Sequence, residues 1–223
     1  MTQKKLHIVR HAQGYHEITP NGHSIHDPQI TPLGIENSLL LRSQFPSHHS
    51  VDLLLASPLR RAIETALVAF EPATLAPKNL KVVCVPDAQE ATAEACDTGS
   101  EKEVIEGWFG DKVDVGLVKD GWNGKRGSLY GVEVAVTMER ARRLRNWVKD
   151  RPEKEVVLVS HGNFAHYLTG DVDEKGEQTT PWWINDEFRT FVFAPEDDEK
   201  EGAASASLLE TEESVARRAH KET

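Results

Sequence analysis

Cysteine is nearly absent. The 223-residue chain has two, Cys84 and Cys96, which excludes a disulfide framework and, with it, zinc held by paired cysteines. The sequence also lacks any apolar run close to the roughly 18 residues of a spanning helix. Met1-Thr2-Gln3-Lys4-Lys5 leads straight into a strand-like run without a signal-peptide core. These absences predict a cytoplasmic protein with no membrane partner. Cations are in the minority, 26 Lys and Arg against 36 Asp and Glu, for a net charge of −10. Nucleic acid is therefore excluded as the main partner, because phosphate backbones are bound by clustered Lys and Arg. The same deficit stands against any phosphate-ester ligand unless the charge is unevenly spread.

It is unevenly spread. Residues 195–223 hold nine acids and four bases, half of the net charge. Their small polar residues predict a solvated, flexible acidic tail with at most a short helix over Ser207 to Arg218. Residues 1–194 then form a single folded domain, of a length that buries a full core without cross-links. With 39% apolar and 28% charged residues, the composition is that of a soluble globular protein.

Within this body short β-branched and aliphatic runs alternate with helical patterns, which predicts an α/β fold: a three-layer α/β/α sandwich on a mostly parallel sheet. The strands expected are 6–9, 52–55, 81–85, 156–159 and 190–193. Thr31-Pro32 and Ser57-Pro58 each pair a capping hydroxyl with a proline suited to a first helical turn. Val134, Met138, Ala141, Leu144 and Val148 recur at helical spacing. Arg142, Arg143, Arg145 and Lys149 suit the negative end of that helix, so they do not make a binding patch. Trp108, Trp122, Trp182 and Trp183 are expected mainly as core.

The residues with chemistry to offer follow strands. Arg10-His11-Ala12-Gln13-Gly14 follows the first, Ser57-Pro58-Leu59-Arg60-Arg61-Ala62 the second, and Ser160-His161-Gly162-Asn163-Phe164 the fourth. In an open α/β sheet the ligand crevice lies outside the carboxyl ends of the strands, so the three loops should converge. Two histidines and two or three arginines suit attack on phosphorus: a neutral imidazole is a competent nucleophile, and guanidinium forks hold the non-bridging oxygens. A helix starting at Gly162 would aim free N–H groups at the same anion. His16, His23, His26 and Asp27 match no metal-ligand spacing, and a substrate-facing loop is expected there.

In order and spacing, Leu6-His7-Ile8-Val9-Arg10-His11, Ser57 through Thr65 and Val159-Ser160-His161-Gly162 resemble the three signatures of the histidine phosphatase superfamily, in its phosphoglycerate mutase-like branch (branch 1). Ile30 through Gly34, Gln89-Glu90, Cys96 through Gly99 and Trp182 through Phe193 extend the resemblance to about residues 5–193. It implies a phosphatase that hydrolyses a small phosphorylated metabolite through a phosphohistidine on His11, without metal or organic cofactor. Arg10, Arg61, His161 and Gly162 would make the phosphate pocket, with His161 also catalytic. Glu90 falls at the position of the general acid, with Asp87 and Glu94 as nearby competitors.

Glu17 departs from the pattern, standing where the family has an asparagine. A carboxylate there would repel a phosphate dianion. Either Glu17 turns away, or it is protonated, or it selects a substrate bearing a cation or hydroxyl, or it lowers the activity. Glu17 and the extra cation Arg60 are accordingly the candidate substrate-selecting residues. The alternatives are a phosphoglycerate mutase-type isomerase and a family member adapted to other chemistry or to ligand binding. The pattern specifies no oligomeric state.

Overall fold

The computed structural model describes residues 3–195 and 206–219. In chain order the main elements are β1 (Lys5–Arg10), α1 (Tyr15–Ile18), α2 (Pro32–Gln44), β2 (Leu53–Ala56), α3 (Arg60–Phe70), α4 (Ala76–Lys78), β3 (Val82–Cys84), α5 (Lys102–Phe109), β4 (Val113–Asp114), α6 (Val134–Asp150), β5 (Glu155–Ser160), α7 (Gly162–Thr169), β6 (Phe188–Phe193), β7 (Leu208–Glu210) and α8 (Glu212–Ala219). One seven-stranded sheet runs β4-β3-β2-β5-β1-β6-β7. Its first five strands are parallel, and β6 and β7 are antiparallel additions.

The layers follow from side-chain alternation. Val9, Leu54, Ala56, Val157 and Val159 face one cluster with Leu41 of α2, Ile63 and Phe70 of α3 and Ile105 of α5. Leu6, Ile8, Leu53, Leu55, Val156 and Leu158 face the other, with Ala141, Leu144 and Val148 of α6 and Phe164 and Leu168 of α7. Because successive residues of a strand point to opposite faces, strands that are apolar at every position bury both faces. The fold is thus the expected α/β sandwich.

Helix starts are a mixed result. Thr31 caps α2, its Oγ1 accepting the Gly34 N–H at 3.0 Å, with Pro32 in the first turn. Ser57 does not cap α3, which starts at Arg60 behind Leu59; its hydroxyl oxygen accepts the Leu59 N–H at 3.3 Å and binds His161 at 2.8 Å. The α6 arginines are structural: Arg142 pairs with Glu139, Arg143 forks onto Asp87, and Arg145 donates to Tyr167 O and Leu168 O at the end of α7. Of the tryptophans, Trp122 and Trp183 are core, whereas Trp108 and Trp182 are half exposed.

The acidic C-terminal segment differs from expectation. Residues 196–205 and 220–223 lie outside the described residues, but β7 pairs with β6 at Phe193↔Leu208, Val192↔Leu209 and Phe191↔Glu210. Beyond it α8 brings Ser214, which accepts the Thr190 N–H at 3.0 Å, and Arg217, whose guanidinium lies 4.0 Å from the Phe188 ring centroid. The body therefore does not stop at 194. Without β7, strand β6 would present an unpaired row of backbone donors and acceptors. Few apolar residues do this work, which is why composition concealed it.

Leu208 is buried and Leu209 half exposed on the same strand. Leu208→Ala should lower the unfolding free energy by about 2–3 kcal/mol, and Leu209→Ala by less than about 0.5 kcal/mol. Urea titration of both variants checks this, and equal effects would contradict the docking of β7.

Candidate active site

Strand β5 lies between β1 and β2, so the segments leaving the three carboxyl ends are neighbours. His11 is the first residue after β1, its N–H bound to Ser160 O at 2.9 Å. The ring Nδ1 sits 2.7 Å from Ala12 O. A carbonyl oxygen only accepts, so Nδ1 carries the proton and Nε2 keeps a lone pair. Arg61 Nε donates to that lone pair at 3.1 Å. Arg61 Nη2 donates to Nδ1 of His161 at 3.1 Å, which leaves His161 Nε2–H to donate to Ser57 Oγ at 2.8 Å. The two rings are 5.1 Å apart. Burial, then the charges of Arg61 and Arg10, hold His11 well below the ordinary histidine pKa. Burial, then Arg61 and His11, do the same for His161. Both imidazoles are neutral at neutral pH.

Arg61 comes from the first turn of α3. Its Nη1 donates to Cys96 O at 2.5 Å and its Nη2 to Asp97 Oδ1 at 2.6 Å, while the other oxygen of Asp97 accepts from the Thr92 hydroxyl. Thr65, one turn further along α3, takes the Ala12 N–H at 2.9 Å and donates to Arg61 O. The helix and the loop after β1 are thereby fixed to each other.

Arg10 ends β1. Its Nη1 donates to Trp183 O at 2.5 Å, and its Nη2 to Glu17 Oε1 at 2.6 Å. Glu17 does not turn away. Its Oε2 accepts the Gly14 N–H at 2.7 Å, and Asn185 Nδ2 lies 3.2 and 3.3 Å from the two oxygens while also reaching His11 O. A side-chain amide does stand beside Arg10, but it comes from residue 185. At Gly162 a Cβ would come within 3.3 Å of both Arg10 Nε and Trp182 Cζ2, so a glycine allows Arg10 to lie against α7.

Glu90 sits at the N-terminus of α7. Its Oε1 accepts the N–H groups of Ala91 and Phe164, both at 2.8 Å, and Oε2 that of Asn163 at 3.3 Å. Two of the α7 N–H groups, those of Asn163 and Phe164, are therefore occupied by a carboxyl of the chain itself. Burial, then the charge of Asp97, raises the Glu90 pKa. Asp87 is taken by Arg143, and Glu94 is exposed. Lys125, which the sequence did not single out, is buried with Nζ on Glu90 O at 2.9 Å. Burial and Arg140 lower its pKa to about 7.

Arg60 is not part of this cluster. It binds Glu64 at 2.8 Å and Gln29 at 2.7 Å, lies 4.6 Å from the Trp108 ring centroid, and borders a cavity of about 400 Å³ with Tyr15, His26 and Asp27. Arg60 faces the 15–29 loop and not the histidines, because the first turn of α3 points successive side chains in different directions. His16 does reach the cluster. Its ring is 5.7 Å from that of His11, its Nδ1 is buried without a partner, and burial and Arg61 lower its pKa to about 4. Among the described residues no three His, Cys, Asp or Glu side chains are grouped to hold a metal ion, and no helix is long and apolar enough to cross a membrane.

The model of the histidine phosphatase superfamily (branch 1) matches residues 6–201. The chain belongs to that superfamily. A Schizosaccharomyces pombe protein named Probable phosphatase is 29% identical over 161 residues, covering 71% of this chain and 74% of its own. The Arabidopsis thaliana phosphoglycerate mutase-like protein 1 is 24% identical over 202 residues, covering 74% and 70%. Among solved structures, mycobacterial glucosyl-3-phosphoglycerate phosphatase with vanadate superposes with a TM-score of 0.58 at 17% identity, over 93% of this chain and 97% of that one. A phosphoserine phosphatase mutant from Entamoeba histolytica gives 0.56 at 18% identity, over 95% of each. These structures share the fold of this histidine phosphatase superfamily member.

Asp97, Ser57 and Asn185 were present in the quoted segments, but nothing in their spacing said that they would hold Arg61, His161 and Glu17. Removing one partner of a buried ion pair leaves an uncompensated charge. Asp97→Ala should therefore destabilise the protein by about 3–5 kcal/mol in urea unfolding. A loss below about 1 kcal/mol would mean that Arg61 is held by its other contacts.

Proposed function

We propose that the protein is a phosphatase that hydrolyses a small phosphomonoester through a phosphohistidine on His11. The observation that carries this is the fixed tautomer of His11, with Nδ1–H on Ala12 O and the Nε2 lone pair facing Arg61. A buried, neutral imidazole aimed in this way is a nucleophile that needs no deprotonation.

A bound phosphoryl oxygen would take over the Arg61 Nε–H and so free the lone pair. Nε2 then attacks phosphorus in line with the ester oxygen, the N–P bond forms, and the P–O bond to the leaving alcohol breaks. Arg10 and Arg61 stabilise the charge spread over the non-bridging oxygens, and His161, with its Nε2–H on Ser57 and its Nδ1 accepting from Arg61, holds that guanidinium in place. Glu90 supplies the proton to the leaving oxygen. Two short N–H contacts tie down Oε1, so Oε2, with its single 3.3 Å contact, is the oxygen suited to carry that proton. Burial favours the protonated form before the reaction. In the second half, water attacks phosphorus, the Glu90 carboxylate takes its proton, the N–P bond breaks, and Nε2 regains its lone pair as phosphate leaves. The names of relatives as glucosyl-3-phosphoglycerate and phosphoserine phosphatases support a small phosphorylated metabolite as the substrate.

His11→Ala should abolish phosphate release from p-nitrophenyl phosphate by chelator-treated enzyme, together with the acid-labile phosphoenzyme of the wild type. Unchanged turnover would refute the nucleophile, and interconversion of phosphoglycerates faster than phosphate release would point to an isomerase. Glu90→Gln should slow an alkyl phosphate by about 10²–10⁴. The loss should be much smaller for p-nitrophenyl phosphate, whose leaving group needs no proton. Equal losses would remove Glu90 as the acid.

A further inference from the structure

Glu17 has no task in the mechanism above, yet it sits at the phosphoryl site. Arg10 Nη2, the Gly14 N–H and Asn185 Nδ2 bind its two oxygens. Beside it Arg10 Nε is buried without a partner, on the Gly162 side. A tetrahedral oxyanion entering here meets two unlike groups. Arg10 Nε–H can only donate, so the oxygen facing it must be free to accept. A carboxylate only accepts, so an oxygen facing Glu17 must carry a proton or two anionic oxygens abut.

We propose that Glu17 makes the seat selective for a protonated phosphoryl group, its carboxylate accepting a hydrogen bond from P–OH. The ligand is then the monoanion of a phosphomonoester, and among inorganic oxyanions hydrogen phosphate in preference to sulfate. This rests on the phosphatase reading of the site. It also gives Glu17 a use that asparagine could not fill, since an amide can donate to a fully ionised oxygen.

Other charged and titratable groups face Glu17. Arg10 binds it from the end of β1 and Asp186 acts on it from the approach to β6, while His11, Arg61, His16, Glu90 and Glu187 act on Arg10 beside it. Asp186 is the one whose titration overlaps that of a phosphate ester. Ser38 holds its Oδ1 at 2.7 Å, its Oδ2 is buried without a partner, and burial pushes its pKa to about 7. Its ionisation would weaken sulfate and a phosphate dianion alike. Sulfate keeps a constant charge over this range, so its pH profile isolates that contribution.

The test is calorimetric binding of inorganic phosphate, sulfate and methyl phosphate to the full chain at pH 5 and pH 7.5. Phosphate should bind at least tenfold more tightly than sulfate at both. Relative to sulfate, methyl phosphate should lose affinity about thirtyfold between the two, following loss of its proton near pH 6. Glu17→Gln, checked by its melting curve, should bring phosphate and sulfate to within about threefold and flatten the methyl phosphate profile. Should that variant fail to fold, the wild-type comparison alone decides. Equal binding of phosphate and sulfate, or methyl phosphate tracking sulfate across pH, overturns the proposal and leaves the phosphatase reading standing. Binding of neither phosphate nor methyl phosphate to the wild type overturns both.

Discussion

The buried guanidinium of Arg61 is the contact on which the site depends. It touches His11, His161, the Cys96 carbonyl and Asp97 at once. An arginine side chain taken fully out of water must satisfy its charge and its donors locally. Asp97 meets the charge, and the two imidazoles and the carbonyl meet the donors. This arrangement also selects the tautomers, because a guanidinium offers only N–H groups and each ring must therefore turn a lone pair toward it. The chemistry of His11 is thus set by a residue fifty positions away.

Geometry at the ends of three parallel strands makes such a contact available. With β5 between β1 and β2, His11 and His161 follow adjacent strands and arrive side by side, while Arg61 enters from the helix after β2. A second fixed point is the N-terminus of α7, where Glu90 takes N–H groups that would otherwise be orphaned. Asp87, Glu90 and Glu94 lie within seven residues of one another, and the fold gives them different surroundings: Arg143 binds Asp87, Glu94 is exposed, and Glu90 is buried at the start of α7.

Much of this was legible in the sequence and some was not, for physical reasons. Strands buried on both faces announce themselves as short aliphatic runs, so all five expected strands lie close to their expected positions. β4 and β7 did not announce themselves. A two-residue edge strand and a three-residue strand inside an acidic segment carry too few apolar positions to stand out, and edge pairing is a property of the partner strand as much as of their own residues. Motif residues at strand ends were legible because a strand followed by Arg-His or His-Gly is rare. Direction was not. Arg60 and Arg61 are neighbours of the same type, yet a helical turn rotates successive side chains by about 100°, and one faces the cluster while the other stacks on Trp108. Trp182 and Trp183 are likewise neighbours, in the irregular segment before β6, and Trp183 alone is buried.

The charge problem raised by the composition resolves at the level of pairs. Arg10 and Arg61 each meet one carboxylate, Glu17 and Asp97, and the imidazoles around them are neutral, so these groups are close to charge balance without ligand. Two unit charges at 4 Å interact by about 4 kcal/mol at an effective dielectric near 20. A site holding both guanidinium ions without either acid would leave two like charges acting on each other uncompensated. The two acids are not interchangeable. Asp97 is buried, bound by the Thr92 hydroxyl and by the same Arg61 nitrogen that serves His161, so displacing it dismantles the tautomer control of both histidines. Glu17 stands on a four-residue turn, is more exposed, and hydrogen-bonds to Arg10, Gly14 and Asn185 and not to either imidazole. An incoming oxyanion can share Arg10 with Glu17 without displacing Asp97 from Arg61. The total charge of −10 is therefore not the quantity a phosphate encounters: at this site the field is set by which carboxylate is free to yield.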